Sequence, residues 1–283
     1  MANREDLVKV FEDTKEWYET DGELKQAVKD AIRGTKIYME EDMPSIPVAP
    51  EKRGKVTVTQ HKTLEAAYLL HQVNPDARVM VHNFASATNP GGGVTRGSRA
   101  QEECLCRTTT LYPVLNTDNN WEKFYQFHRS RHDQRYTDAC IYTPDILAVK
   151  TDTDIPQRLP KDQWMRLGVI TCAAPNLRAK PGNAMNPTTG DAVHLTDAEL
   201  LAMHEKRARH LLSVAAANGA DILVLGAFGC GAFQNKPEVV AKAYAKVLPD
   251  FLRYFQHVEF AVYCPPRDNR NYVAFYNTLS RIR

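Results

Sequence analysis

The chain has 283 residues, of which 43% are hydrophobic and 25% charged, and its formal net charge is +2. These values are typical of a globular protein with a substantial core, and the balanced charge argues against a strong overall field for nucleic acid or membrane. No apolar run approaches the roughly 18 residues of a spanning helix, and the charged N-terminus lacks a secretory signal's apolar core. The six cysteines are scattered, so we predict reduced thiols, a cytoplasmic location and no membrane partner.

Residues 1–54 are predicted to form a helical N-terminal extension that packs on a main domain spanning residues 55–283. Two amphipathic runs, about residues 4–18 and 21–34, supply its helices. Three prolines then end the helical pattern: Pro44, Pro47 and Pro50. A lid or a partner surface is the alternative role for this extension.

Strand and helix patterns alternate through the rest of the chain. Strands are predicted at residues 56–59, 78–84, 141–142, 146–149, 167–173, 221–225 and 258–263. Helices are predicted at residues 63–73, 120–129, 195–218, 237–252 and 271–282, with a further helix starting at Ser98. This alternation predicts an α/β fold in which helices cover both faces of a largely parallel sheet.

Two glycine-rich segments follow predicted strands, Asn89 to Gly97 and Gly226 to Phe233. Ligands of such sheets bind at the carboxyl ends of the strands, so both loops are expected at one edge. Exposed backbone amides at a helix start favour an anion such as a phosphate. Neither segment matches a P-loop or a complete dinucleotide motif. For the second segment, a tight strand-to-helix turn is the alternative interpretation.

Two adjacent acids, Glu102 and Glu103, lie just inside the helix after the first loop. Ser98 with Gln101 fits a capping box, which places both acids in the second helical turn. Neighbours on a helix point about 100 degrees apart, so the two carboxyl groups are not expected to aim at one atom. We therefore predict a division of labour, in which one acid acts on a bond and the other holds a ligand hydroxyl. One carboxyl group can protonate a glycosidic oxygen and later activate water; a favourable interaction with the helix dipole is the alternative.

A family resemblance rests on three segments. The glycines Gly91-Gly92-Gly93, a seven-residue spacer and Gln101-Glu102-Glu103 resemble the signature of poly(ADP-ribose) glycohydrolases, most closely the bacterial type. The second loop, GAFGCGAFQN, resembles the diphosphate-binding loop of the macrodomain fold, and Asn89 matches the asparagine that macrodomains use on the distal ribose. The resemblance covers about residues 55–283. It implies a three-layer α/β/α, macrodomain-like mixed sheet with an N-terminal helical extension.

The function that this resemblance implies is hydrolysis of ribose–ribose O-glycosidic bonds in poly(ADP-ribose), releasing ADP-ribose without a metal or cofactor. Glu103 would be the catalytic acid and then the base, and Glu102 would bind ribose hydroxyls. The substrate-binding residues that it implies are Asn89, Gly91, Gly92, Gly93, Val94, Gln101, Gly226, Phe228, Gly229, Cys230, Gly231, Ala232 and Phe233. The partners would be poly(ADP-ribose) or ADP-ribosylated macromolecules, and the protein would be a monomer.

Two other functions stay open on the sequence. One is a module that binds ADP-ribose without turnover, although the intact Gln101-Glu102-Glu103 argues against it. The other is a hydrolase that removes single ADP-ribose groups from protein or nucleic acid.

Several other side chains are candidates for a functional role. His128 and His132 have helical spacing but no glutamate of the H-E-x-x-H type between them, so we predict a solvated helix end rather than a metal site. Cys230 is either a reactive thiol or a small residue that the loop requires. Arg96 and Arg99 either contact phosphates or solvate the loop.

Overall fold

A computed structural model describes residues 2–48, 54–182, 185–187 and 189–282. The strands are β1 (Lys36–Tyr38), β2 (Lys55–Thr59), β3 (Val79–Phe84), β4 (Cys140–Ala148), β5 (Met165–Cys172), β6 (Ile222–Leu225) and β7 (His257–Ala261). The α-helices are α1 (Arg4–Thr20), α2 (Gly22–Gly34), α3 (Thr63–Val73), α4 (Gln101–Thr108), α5 (Leu111–Leu115), α6 (Asp118–Asn120), α7 (Phe127–Arg131), α8 (Asp197–Ala217), α9 (Pro237–Val247) and α10 (Arg270–Leu279). No helix among the described residues is long and apolar enough to cross a membrane.

The seven strands form one mixed sheet in the order β1-β4-β5-β3-β6-β7-β2. The five strands from β5 to β2 are parallel to one another, whereas β4 pairs antiparallel with β5 and β1 antiparallel with β4. The predicted α/β fold with a macrodomain-like mixed sheet is therefore confirmed. Strand β1 was not predicted, because three residues are too few to show an alternating pattern.

The central strands are buried on both faces, which explains their continuous apolar sequences. Val79 and Val81 of β3 pack in a core with helices α3, α4 and α5. Met80, between them, packs in a second core with helices α8 and α9 on the other face. Side chains alternate across a strand, so these two cores define the three layers.

Two elements differ from their predictions. The strand predicted in two pieces around Pro144 is the single strand β4, with a register shift between Thr143 and Ile146. Helix α9 ends at Val247 rather than near residue 252. Pro249 lacks a backbone N–H, so the apolar pattern continues in short 3₁₀ turns instead of an α-helix.

Helices α1 and α2 form as predicted, and Asp21 caps α2 by accepting from the backbone amides of Glu23 and Leu24. The extension also supplies β1, which joins the edge of the sheet. Pro50 lies outside the described residues. The division of the chain at residue 54 stays a prediction.

Candidate functional site

The two glycine-rich loops lie at the same edge of the sheet, as predicted. Their strands, β3 and β6, are adjacent and parallel, with Val79 opposite Ile222. A cavity of about 870 Å³ opens at this edge and is lined by residues from both loops. Glu102, Glu103, Gly229 and Phe233 all line it.

The first loop contains a tight turn, here called the glycine turn (Gly91–Gly93). Gly91 and Gly92 have φ angles of +67° and +55°, the left-handed conformation that favours glycine. A Cβ atom on Gly92 would lie 2.5 Å from Oε1 of Glu103 and 3.0 Å from Oε2 of Glu102. The backbone of the glycine turn therefore lies directly against both carboxyl groups, and no other residue fits at position 92.

The helix that carries these acids begins later than predicted. Ala100, not Ser98, is the N-cap of α4, and it makes no side-chain cap. The predicted capping box is wrong because the amide of Gln101 is used elsewhere. Its Oε1 accepts from the backbone N–H of Phe84 at 2.8 Å, and its Nε2 donates to the carbonyl of His82 at 2.7 Å. Gln101 thus fastens the start of α4 to the end of β3.

The later helix start places Glu102 and Glu103 in the first turn of α4 rather than the second. That the two carboxyl groups do not aim at one ligand atom stays a prediction, although both lie close to the glycine turn. Oxygens of both carboxyl groups reach the same side of Gly92. Their hydrogen-bond partners nevertheless differ, so the site is asymmetric.

Glu102 is held by the end of strand β3 and is only 2% exposed. Its Oε2 accepts from the backbone N–H of Ser86 at 2.7 Å, and its Oε1 accepts from Nδ2 of Asn83 at 3.4 Å. Burial, followed by the neighbouring charge of Glu103, raises the pKa of Glu102 well above its ordinary value.

Glu103 is 7% exposed and is held at one oxygen only. The backbone N–H of Gly93 donates to its Oε1 at 2.8 Å. Its Oε2 is buried and has no hydrogen-bond partner among the described residues. Glu103 therefore has one anchored oxygen and one buried oxygen that no described residue bonds.

Asn89 lines the same cavity. It is held in place by Arg129, which was not among the predicted functional residues. The guanidinium of Arg129 donates to Oδ1 of Asn89 and, through Nε, to the carbonyl of Thr88 at 2.7 Å. Arg129 also lies 4.8 Å from the ring centre of Trp121. With Oδ1 occupied and Nδ2 donating one N–H to Oγ1 of Thr88 at 3.2 Å, the second N–H of Asn89 is the group left to meet a ligand. Nothing near Arg129 in the chain signals this contact, which spans 40 residues.

The second loop is held in shape by another residue outside the predicted set, Asn235. Its side chain donates to the carbonyls of Pro175, Gly229 and Phe233 at 2.8, 3.1 and 3.2 Å. Its Oδ1 lies 2.8 Å from Nε2 of the buried His204. An asparagine immediately after a glycine-rich loop was the available signal, because asparagine often bonds to nearby backbone groups.

The backbone amides of Gly231, Ala232 and Phe233 donate to no acceptor in the described part of the chain. These three residues line the cavity. Consecutive free amides on a loop can bind an anion. The geometry of the second loop therefore suits a phosphate group.

Four residues of the predicted binding set do not line the cavity: Gly91, Val94, Gly226 and Cys230. A Cβ on Gly226 would lie 2.6 Å from the carbonyl of Ala261, so this glycine is required by packing. Burial raises the pKa of the Cys230 thiol, which favours the small, spatially required residue over a reactive thiolate.

His128 is not on a solvated helix end, and that prediction is wrong. The side chain is buried, with Nδ1 2.8 Å from the carbonyl of Phe124 and Nε2 2.9 Å from Oγ1 of Thr137. A π-helical segment, Trp121–Gln126, precedes α7 and turns this face inward. No group of three or more potential metal ligands occurs in the described ranges. Arg96 and Arg99 both line the cavity.

A family model described as the catalytic domain of microbial-type poly(ADP-ribose) glycohydrolase matches residues 7–151. This match includes helices α1 and α2 together with the glycine turn and α4. No curated protein sequence matches the chain.

Solved structures of bacterial poly(ADP-ribose) glycohydrolases are similar to the chain over nearly its whole length. The enzyme from Thermomonospora curvata is 31% identical, with a TM-score of 0.82, covering 96% of this chain and 99% of that one. Its complex with the inhibitor ADP-HPD has a TM-score of 0.79 at the same identity and coverage. The enzyme from Deinococcus radiodurans in complex with ADP-ribose is 31% identical, with a TM-score of 0.73, covering 89% of this chain and 96% of that one.

Proposed function

The chain belongs to the microbial-type poly(ADP-ribose) glycohydrolase family and is a glycohydrolase of poly(ADP-ribose), and we propose that Glu103 is its catalytic acid and base. The substrate is a polymer of ADP-ribose units, and ADP-ribose is the product. Solved relatives with bound ADP-ribose or ADP-HPD support ADP-ribose as the unit that enters the cavity.

Hydrolysis proceeds in two proton transfers at the free Oε2 of Glu103. In the first, Glu103 donates a proton to the glycosidic oxygen while the bond between that oxygen and the anomeric carbon breaks. The anomeric carbon becomes oxocarbenium-like. In the second, the Glu103 carboxylate takes a proton from a water molecule, whose oxygen bonds to the anomeric carbon. The acid is thereby restored.

The remaining residues of the site bind and orient the substrate. Glu102 accepts hydrogen bonds from ribose hydroxyls, and the amide of Asn89 donates to the same sugar. The free amides of Gly231, Ala232 and Phe233 bind the diphosphate, and Phe233 packs against the ribose. The five residues that carry these groups all line one cavity, which supports this arrangement.

One observation carries the assignment of Glu103. Its Oε2 is a buried carboxyl oxygen without a partner among the described residues, and Glu103 lines the same cavity as a loop with three amides that bond no described residue. Buried polar atoms normally have partners, so an exception beside a phosphate-binding loop indicates a group reserved for the ligand. Glu102 lacks this property, because both of its oxygens accept protein hydrogen bonds.

The substitution Glu103→Gln tests the assignment. It keeps the shape of the side chain and removes the transferable proton, so we expect kcat for ADP-ribose release from polymer to fall by about 10²–10⁴-fold. ADP-ribose binding, measured by calorimetry, should be retained. The exposed Glu122→Gln serves as the matched control and should keep normal turnover.

Near-normal turnover by the Glu103→Gln variant would remove Glu103 from the mechanism. Loss of ADP-ribose binding together with turnover would instead assign Glu103 to binding. The cytoplasmic location and the monomeric state inferred from the sequence stay predictions.

A further inference from the structure

Tyr112, on helix α5, lies directly against the glycine turn. A Cβ on Gly91 would be 2.7 Å from Cδ2 of the Tyr112 ring. Gly91 therefore leaves just enough room for its backbone to rest on an aromatic ring. The three glycines have no side chains of their own with which to pack, so the position of this turn depends on neighbours such as Tyr112.

The Tyr112 ring is in turn held by the N-terminal extension. Phe11 of α1 is 1% exposed, and its ring centre lies 4.9 Å from that of Tyr112 in an edge-to-face arrangement at 84°. Such pairs stabilise a defined relative orientation beyond the apolar area that they bury. Phe11, Tyr112 and Gly91 thus form a continuous contact from the extension to the glycine turn.

The extension also contacts the far end of the first loop and the helix beyond it. Gly97 has a φ angle of +68°, and a Cβ there would lie 2.3 Å from the carbonyl oxygen of Arg4. The hydroxyl of Thr14 donates to the carbonyl of Arg107, on α4, at 2.6 Å. Helix α1 therefore contacts the segment that carries Glu102 and Glu103 at two points, one before these acids in the chain and one after them.

We propose that Tyr112, supported by Phe11, is a positioning residue that sets the distance between the glycine turn and Glu103. Gly93 anchors Oε1 of Glu103 through its backbone N–H, so a shift of the turn moves the anchor of the acid. The extension is then a working part of the active site. This inference rests on the proposed role of Glu103.

A displaced acid affects chemistry more than affinity. The residues that carry the free amides line the cavity from the loop after β6, and Tyr112 is not among the described residues that line it. A misplacement of about 1 Å at a reacting group costs up to about 10²-fold in rate. Loss of the Tyr112 ring is therefore expected to lower kcat while leaving ADP-ribose affinity largely intact.

The experiment compares Tyr112→Leu, Phe11→Leu and Tyr112→Phe in the full chain. We expect Tyr112→Leu to lower kcat on polymer by about tenfold or more, up to the roughly 10²-fold limit for a misplaced group. Phe11→Leu should lower it less, because the Tyr112 ring remains. Tyr112→Phe should keep the turnover of the unmutated protein, since the Tyr112 hydroxyl makes no hydrogen bond within the described ranges.

The matched control is Trp17→Leu, on the same helix. Trp17 packs on Trp164 with ring centres 5.4 Å apart, in a core cluster separate from the one that contains Phe11. We expect this variant to unfold at a lower temperature but to keep the kcat of the unmutated protein where both are folded. A common loss of turnover in Trp17→Leu and Tyr112→Leu would overturn the proposal, since it would indicate general destabilisation.

Hydrogen exchange of the peptide that covers residues 89–98 gives a second measurement that does not depend on activity. The amides of Gly92 and Gly93 are hydrogen-bonded in the unmutated protein, at 3.1 and 2.8 Å. Tyr112→Leu should speed their exchange, and Trp17→Leu should not. An unchanged exchange rate in Tyr112→Leu would refute the positioning role.

Absence of polymer hydrolysis by the unmutated protein would instead refute the proposed function. If Tyr112→Leu fails to fold, kcat and the exchange rate of residues 89–98 are measured on Phe11→Leu instead, with the same expected direction of change.

Discussion

Glu102 and Glu103 are neighbours in the chain, yet their surroundings give them different chemistry. Both oxygens of Glu102 accept hydrogen bonds from the end of strand β3, whereas Glu103 keeps one oxygen free. Burial and, after it, the neighbouring charge of Glu103 raise the pKa of Glu102. A single glycine, Gly92, allows this arrangement because any Cβ would displace both carboxyl groups.

The raised pKa of Glu102 predicts a pH-dependent stability. The folded state binds the Glu102 proton more tightly than the unfolded chain, whose ordinary pKa is 4.5. The free energy of unfolding therefore falls as the pH rises from that value through the folded pKa. Glu102→Gln removes this titration, so the unmutated protein should lose stability relative to the variant as the pH rises above 4.5.

Urea unfolding of both proteins across this range measures the effect. Glu122→Gln, an exposed position, is the control and should differ from the unmutated protein by the same amount at every pH. A stability difference for Glu102→Gln that stays constant with pH would contradict the expected titration.

At the scale of elements, each glycine-rich loop is fixed by side chains other than its glycines. Gln101 fastens α4 to β3, and Arg129 on α7 holds Asn89. Asn235 performs the same task for the second loop, with its amide bonded to three carbonyl groups. Glycine loops lose much backbone freedom on folding, so such hydrogen bonds are needed to keep their amides in place.

Asn235→Ala tests the role of this asparagine in the second loop. It leaves the carbonyl of Pro175 without its side-chain donor, takes one of two donors from the carbonyls of Gly229 and Phe233, and removes the acceptor beside His204. We therefore expect the free energy of unfolding to fall by roughly 1–3 kcal/mol. ADP-ribose should also bind more weakly, because the loop amides lose their fixed arrangement. Denaturant unfolding and calorimetric titration measure the two effects.

Gln234→Gly is the matched control for that substitution. Gln234 is exposed and has a φ angle of +61°, so glycine fits its backbone conformation. We expect a change in stability within about 0.5 kcal/mol and unaltered ADP-ribose binding. Unaltered ADP-ribose affinity in Asn235→Ala would show that the loop keeps its shape without the side chain.

At the scale of the whole molecule, the extension is joined to the main domain through buried polar contacts as well as apolar ones. Lys150 follows β4, is 1% exposed, and its Nζ lies 2.6 Å from Asp13 and 2.8 Å from the carbonyl of Val10. Burial lowers the pKa of Lys150, so its charge depends on these contacts with α1. Arg158 binds the same carboxylate at 2.7 Å.

Asp13→Asn tests this junction. It leaves the Lys150 ammonium buried without a counter-charge, which costs stability. Asp13 itself is partly exposed, so we discount the loss to about 1–3 kcal/mol in the free energy of unfolding. Urea unfolding measures it.

Asp30→Asn is the matched control, because Asp30 contacts the side chains of Arg33 and Gln26 on the exposed face of α2. An exposed pair of this kind contributes less than about 1 kcal/mol. Equal losses in the two variants would contradict a structural role for the Asp13–Lys150 contact.

The elements with a strong local signal were predictable from the sequence. Helix α8 begins at Thr196 with the predicted Glu199 capping box, and Gly219 follows its end with a φ angle of +73°. Capping and backbone conformation depend on residues a few positions apart, so the sequence alone contains them. The signature of the family and the shared edge of the two glycine loops were likewise predictable.

Tertiary structure alone decided which distant side chains complete each element. Ser98 had the right neighbours for an N-cap, but Gln101 bonded to β3 and moved the helix start to Ala100. His128 had the spacing of an exposed helix end, but it packs against Thr137 in the interior. Hydrogen bonds and burial between distant positions depend on how whole elements pack. The acids, glycines and loop order were therefore determined by the chain itself, whereas the free oxygen of Glu103 and the supports of both loops arise only once the sheet has assembled.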